Sequence, residues 1–285
     1  MDGILIVNKD LGYTSRDVVN IVCRQLGTKK VGHTGTLDPM ASGVLVLCVG
    51  KALKLCELLT NHDKEYIAGI TLGIETDTLD IEGNILSTEN VDIDENKILN
   101  VVNSFKGSYL QEVPKYSAVK VNGKKLYEYA RGNIDVKLPS RMVNIYDIGI
   151  IDDIKHDDGK VYFKIKTTVS KGTYIRSLVR DIGNKLGVPA VMNSLVRNTL
   201  GNFNINGAYS LEDIENGNFK LIPILDAIPN MKKVVVSDDV AFKIRNGVVM
   251  KPFFEGDKAF ILDKTENLIA IYENINNESR VYKMF

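Results

Sequence analysis

The residues with chemical potential sit in one short run, Gly32-His33-Thr34-Gly35-Thr36-Leu37-Asp38-Pro39-Met40-Ala41-Ser42-Gly43. Its glycines permit backbone conformations closed to other residues and let a substrate come close, while Pro39 stiffens the position after the carboxylate. An ionised aspartate on a stiff loop can serve as nucleophile or base. The same residues also describe an ordinary turn, because an Asp before Pro in a Gly-rich loop commonly bonds its own backbone. Arg176 is one arginine of a type that could serve such a carboxylate, since a guanidinium beside a buried carboxylate favours its charged form and offers fork-shaped hydrogen bonds. In a helix over 173–187 it lies about 100° from Ile175, at the flank of the apolar stripe, with Arg180 farther toward solvent. From its own pattern alone, a surface arginine paired with a neighbouring acid is the better reading. No metal is expected, since His33, His62 and His156 are the only histidines and neither they nor Cys23, Cys48 and Cys56 show ligand spacing.

Ile4 to Val7 has the pattern of a short buried strand that leads toward this run. Thr14 to Leu26 then places Val18, Val19, Ile21, Val22 and Leu26 at helical spacing, with Thr14 or Ser15 as N-cap and Gly27 as stop. Gly32 to Gly43 is expected to be loop throughout, feeding the apolar run Val44 to Val49. Ile98, Val101, Val102 and Phe105 predict a helix, and Val161, Phe163 and Ile165 alternate with polar residues as in a half-buried strand. Ile175, Leu178, Val179, Ile182 and Leu186 form one helical face, with Thr173 as cap and Gly187 and Pro189 as the end. Beyond Pro223 and Pro229 the pattern predicts a short helix from Ser237 to Asn246 and strands at roughly 259–263, 268–272 and 280–285. Strands and helices alternate irregularly, without the regular crossovers of a parallel sheet, so the class is α+β. The division predicted is a large domain over 1–229 and a small β-rich one over 230–285, marginal alone and stable when docked.

With 285 residues and 44% hydrophobic content the chain can bury a full core. The amino terminus lacks a basic n-region and a cleavage site, and no apolar run approaches the roughly 18 residues that span a bilayer, so neither signal peptide nor membrane segment is expected. The cysteines read as reduced core residues of a cytoplasmic protein. Net charge is zero, yet residues 61–100 hold ten acids against two bases and residues 101–200 hold seventeen bases against nine acids. A neutral total therefore hides a basic middle, which either solvates a surface or faces a polyanion.

GHTGTLDPMASGVL closely resembles the catalytic-loop signature of the TruB family, the bacterial tRNA pseudouridine-55 synthases. NKDLGYTSRDVV at 8–19, DKEYIAGITLGIETDTLDIEG at 63–83, VPKYSAVKVNGKKLYEYAR at 113–131, KGTYIRSLVRDIG at 171–183 and SLVRN at 194–198 resemble its other motifs in the family's order. One departure is Asp10, where the family usually has proline. The resemblance implies the pseudouridine synthase fold, a mixed and mainly antiparallel sheet flanked by helices. Far more weakly, it implies a PUA-like RNA-binding domain at the carboxy end.

It also implies the roles. Asp38 is the carboxylate at the reacting sugar and base, Arg176 its partner, and Tyr66 the face on which a flipped base stacks. Tyr174 packs the other side with its hydroxyl near C5, Leu195 is an apolar wall, and His33 orders flipped bases. Lys9 of the amino-terminal motif joins the substrate-binding set. Lys120, Lys124, Lys125 and Arg131, with Lys115, Lys137, Arg141, Tyr116, Tyr127 and Tyr129, mix phosphate-binding and stacking groups. The resemblance makes 113–141 an RNA-clamping insertion. The implied reaction breaks the C1′–N1 bond of one T-loop uridine, turns the base and rejoins it through C5, so it gains no atoms and needs no cofactor. The implied partner is tRNA, with no obligate protein partner and a monomeric enzyme. The rival readings are a tRNA-folding chaperone, a nucleoside glycosidase, which would normally need two carboxylates, and the catalytic subunit of a guide-RNA particle.

Overall fold

The computed structural model describes residues 1–285. In chain order the first part comprises β1 (Gly3–Lys9), α1 (Ser15–Gln25), β2 (Val31–His33), β3 (Ala41–Val49), α2 (Cys56–Thr60), β4 (Lys64–Leu72), β5 (Ile74–Thr76) and β6 (Ile85–Thr88). There follow α3 (Glu95–Asn103), β7 (Gly107–Glu112), β8 (Lys120–Val121), β9 (Lys124–Lys125), α4 (Leu126–Arg131), β10 (Ser140–Ile150), β11 (Lys155–Asp157) and β12 (Lys160–Val169). The chain continues through α5 (Ile175–Leu186), β13 (Ala190–Leu200), β14 (Phe203–Asn204) and α6 (Leu211–Glu215). It ends with β15 (Lys232–Val235), α7 (Asp238–Arg245), β16 (Lys258–Leu262), β17 (Leu268–Ile275) and β18 (Glu278–Met284).

The main sheet has ten strands, with β1-β3-β13-β4-β12-β10-β7 as its backbone path. Every neighbour on that path is antiparallel except β13 beside β3, which are parallel over Leu195↔Ala41 to Arg197↔Gly43. That one parallel contact brings two distant motifs side by side, a pairing that local sequence patterns cannot announce. One face of the sheet is covered by α3 and α5, whose Ile98, Val102, Leu178, Val179 and Ile182 pack on Ile70, Ile165 and Met192. Near the other edge, α1 and α6 lay Val18, Val22, Leu211 and Ile214 on Leu5, Val7, Leu45 and Leu47. The α+β class with a mainly antiparallel sheet is therefore as expected.

β15-β16-β17-β18 form a separate four-stranded sheet. It carries its own small core around Ala241, Ile261 and Tyr272, and docks through Phe260 and Ile271 onto Val44, Leu55 and Leu59. Full burial of such side chains contributes about 1.5–3 kcal/mol each, which explains how a small sheet stays attached.

Three local expectations need correction. Gly32 to Gly43 is not loop throughout: Gly32 and His33 pair with β3 in β2, and Ala41 to Gly43 already belong to β3. Edge pairing overrides the glycine signal there, and Gly43 holds φ +99°, which a side chain would resist. Thr173 does not cap α5; Tyr174 occupies the N-cap, and the Thr173 hydroxyl turns back to the Ser170 carbonyl at 2.9 Å. Phe105 lies beyond α3, which ends at Asn103. Elsewhere Thr14 caps α1 with a full capping box, and Gly187 closes α5 in the left-handed conformation, as expected.

Candidate active site

Asp38 sits on a loop whose backbone is tied at each carbonyl from 35 to 39. Arg197 donates to Thr36 O at 3.3 Å and to Gly35 O at 3.2 Å. The Ser15 hydroxyl donates to Leu37 O at 3.2 Å and accepts from Leu37 N at 2.9 Å. Asp38 O accepts from Ala41 N at 3.0 Å and Pro39 O from Gly12 N at 2.8 Å. A loop with its polar groups satisfied in this way has little freedom to swing the carboxylate. Arg197 is 1% exposed and spends its guanidinium on carbonyls alone, adding Val44 O at 2.7 Å.

The Asp38 side chain remains 44% exposed and points at Arg176, whose Nη2 lies 3.0 Å from Asp38 Oδ2. That guanidinium also donates to Tyr116 O at 3.1 Å, Thr78 O at 3.0 Å and Asp80 Oδ2 at 3.3 Å. Asp80 is itself fixed by the Thr78 hydroxyl at 2.7 Å. The turn that presents it places Leu79 at φ +66°, a conformation that costs a branched residue about 1 kcal/mol or more. Arg176 is thus locked between two carboxylates, one buried behind it and one facing open space.

That space is a pocket of about 470 Å³, lined by Asp38, Arg176, Tyr66, Tyr174, Leu195 and His33 among others. Tyr66 comes from β4 and Leu195 from β13, paired beside it. Tyr174 is held by its peptide: Gln111, fully buried on β7, donates to Tyr174 O at 3.1 Å and accepts from Tyr174 N at 2.8 Å. The Arg141 guanidinium lies 5.4 Å from the Tyr174 ring centre. Burial first, then the charges of Arg16 and Arg197, hold the His33 imidazole below the usual histidine range, so it is neutral at pH 7. The buried side-chain polar atoms without a protein partner are His33 Nδ1 and Ser117 Oγ, and both residues line this pocket. Buried polar groups normally find partners, so two such residues lining one pocket suit a polar guest.

The basic segment reaches the pocket through its tyrosines. β8 and β9 form a hairpin whose Asn122 and Gly123 take φ +50° and +84°, as a two-residue turn requires. Tyr116, Ser117 and Tyr127 line the pocket, whereas Lys120, Lys124, Lys125 and Arg131 do not. Lys125 and Arg131 instead lie 5.3 and 5.5 Å from the Tyr127 ring centre. Lys120 and Lys124 are exposed on the hairpin. Lys9 also lies outside the pocket: it is fully buried, and its ammonium donates to Asp10 O at 2.9 Å and Tyr13 O at 2.7 Å. Burial lowers its pKa, with the charges of Asp10 and Asp38 opposing.

Asp80, Arg197, Ser15 and Gln111 were not singled out from sequence. Asp80, Arg197 and Ser15 lie within quoted motifs, and Ser15 was read only as a possible helix cap, so motif membership was the available signal. Gln111 gave none, and the partners of Ser15 and Gln111 stand 22 and 63 positions away. Asp80 supplies no second carboxylate to the pocket wall, which leaves a two-carboxylate glycosidase without its partner residue.

Solved structures share this architecture. An H/ACA ribonucleoprotein bound to a substrate RNA containing 2′-deoxyuridine aligns with TM-score 0.70 and 24% identity, over 99% of this chain and 84% of that one. A Cbf5-Nop10-Gar1 complex aligns with TM-score 0.69 and 26% identity, over 96% and 78%. This is the pseudouridine synthase fold, and the relatives below place the chain among the enzymes that isomerise uridine in RNA. The sequence model described as TruB family pseudouridylate synthase (N terminal domain) matches residues 23–175, and that of the tRNA pseudouridylate synthase B C-terminal domain matches 176–221. The tRNA pseudouridine synthase B of Bacillus subtilis is 43% identical over 95% of this chain and 93% of its own length. That of Clostridium kluyveri is 44% identical over 95% and 92%. The chain belongs to the TruB family.

Proposed function

We propose that this enzyme converts the T-loop uridine at position 55 of tRNA to pseudouridine, with Asp38 as its catalytic carboxylate and no cofactor. The observation that carries the reading is the Asp38–Arg176 pair, 3.0 Å apart, in a pocket also lined by Tyr66, Tyr174, Leu195 and His33. Flipping a stacked uridine into such a pocket costs roughly a few kcal/mol. Stacking on an aromatic face such as Tyr66 returns about 1–3 kcal/mol. Asp38 then acts at the sugar and base while the C1′–N1 bond breaks and C1′–C5 forms. The C5 proton leaves, N1 gains one, and the Tyr174 hydroxyl assists that transfer. The neutral His33 imidazole offers one donor and one acceptor to the displaced bases.

Residues 113–141 serve as an RNA clamp. Tyr116 and Tyr127 reach the base, and the exposed lysines of the β8–β9 hairpin reach phosphate. Residues 1–229 form the catalytic domain and 230–285 a second RNA-binding module. The enzyme works as a cytoplasmic monomer without an obligate protein partner, and its grip on tRNA also lets it assist folding of the RNA. The test is incubation with an unmodified tRNA transcript tritiated at C5 of its uridines. One equivalent of tritium released, mapped to the T-loop uridine, is expected; tRNA binding without release would leave the chaperone reading in its place.

A further inference from the structure

A second cleft, of about 790 Å³, runs along the outer side of α1 and includes Tyr13, Arg16, Asn20, Arg24 and Lys29. Arg16, Asn20 and Arg24 follow one another at four-residue steps, which puts them on one face of the helix, and Lys29 joins from the segment after it. Arg16 to Arg24 spans about 12 Å along the axis. No salt bridge in the structure uses Arg16, Arg24 or Lys29, although most other arginines are paired. The cleft's one acid, Asp17, is already spent on the helix cap, accepting from Thr14 N at 2.9 Å and Thr14 Oγ1 at 2.6 Å. Arg16 also lines the Asp38 pocket, so the cleft opens from that pocket's rim.

A row of exposed cations without carboxylate partners, leading away from a site that takes one nucleotide, matches a ligand with charges at regular intervals. We infer that the outer face of α1 is a phosphate track for the RNA strand that leaves the Asp38 pocket. Arg16 stands at the rim, Arg24 and Lys29 at the far end, and the half-exposed Tyr13 ring, just before the helix, offers a stacking face at the rim end. The inference rests on the RNA reading of the pocket and extends its footprint beyond the flipped base.

The experiment uses the full chain, an unmodified tRNA transcript, and the double variant Arg24→Gln/Lys29→Gln. Both residues are exposed and neither lines the Asp38 pocket. Each lost phosphate contact removes about 0.7–0.9 from the slope of log Kd against log salt, so the double variant should lose about 1.5. Its Kd at low salt should rise roughly tenfold, with KM following. Lys155→Gln is the charge control, on β11 at the opposite end of β12 from the Tyr66 partner Thr167, and should change neither. A double variant with the wild-type slope and Kd overturns the track, as does a control that shifts equally. Wild type that binds tRNA but releases no tritium sinks only the enzymatic reading, and the slope still decides the track. Wild type that binds no tRNA overturns both.

Discussion

At the scale of single residues, the site is a carboxylate whose neighbours do different jobs. Arg176 faces Asp38 with one nitrogen and anchors itself to Thr78 O and Asp80 with the other. Because the guanidinium has its own mooring, removing the Asp38 charge should leave it in place. Asp38→Asn should therefore abolish turnover while tRNA binds within a few-fold of wild type. Tritium release and a filter-binding Kd on the same preparation check this, and parallel loss of both would make Asp38 a structural residue.

At the scale of elements, the Asp38 loop depends on the parallel meeting of β3 and β13. Gly43 faces Arg197 there so closely that an added Cβ would stand 2.3 Å from Arg197 O, with φ already at +99°. Gly43→Ala should push the strands apart and displace the residue that holds Gly35 O and Thr36 O. A stability loss of several kcal/mol is expected, the tail occupied by backbone and overpacking faults. Urea unfolding and kcat report it, and a variant of wild-type stability would contradict the close approach. The β8–β9 hairpin makes a separate prediction. Under the proposed clamp role, Lys124→Glu/Lys125→Glu should raise the Kd for tRNA and flatten its salt dependence. An unchanged Kd at two salt concentrations would remove the clamp role.

At the scale of the whole molecule, buried cations couple stability to pH. Lys64 is 9% exposed, donating to Thr60 O at 2.8 Å and His62 O at 2.6 Å. Burial above all, then the charge of Arg197, brings its pKa from 10.5 down to about 8. Between those values the unfolded chain holds a proton that the folded chain has released, so Lys64 makes stability rise with pH across that window. Wild type should thus gain stability relative to Lys64→Met as pH goes from about 8 to about 10.5. Urea midpoints along that range measure it, and a constant difference would show that the ammonium is not penalised by burial. The docked carboxy-terminal sheet acts at the same scale, since Phe260 and Ile271 close the core over Leu55 and Leu59.

The sequence by itself determined the α+β class, the cap and stop of α1, the stop of α5, the tie of the chain to its family, and the candidates Asp38, Arg176, Tyr66, Tyr174, Leu195 and His33. These rest on local periodicity, on backbone demands of glycine and proline, and on motifs preserved in order. Tertiary structure alone decided that Lys9 and Arg197 are buried struts, that Asp80 moors Arg176, and that Gln111 holds Tyr174. Each of those depends on strands far apart in sequence becoming neighbours, or on an ammonium turning inward to carbonyls. A side chain's burial and its hydrogen-bond partner are properties of that assembled environment, so residue type and spacing do not encode them one position at a time.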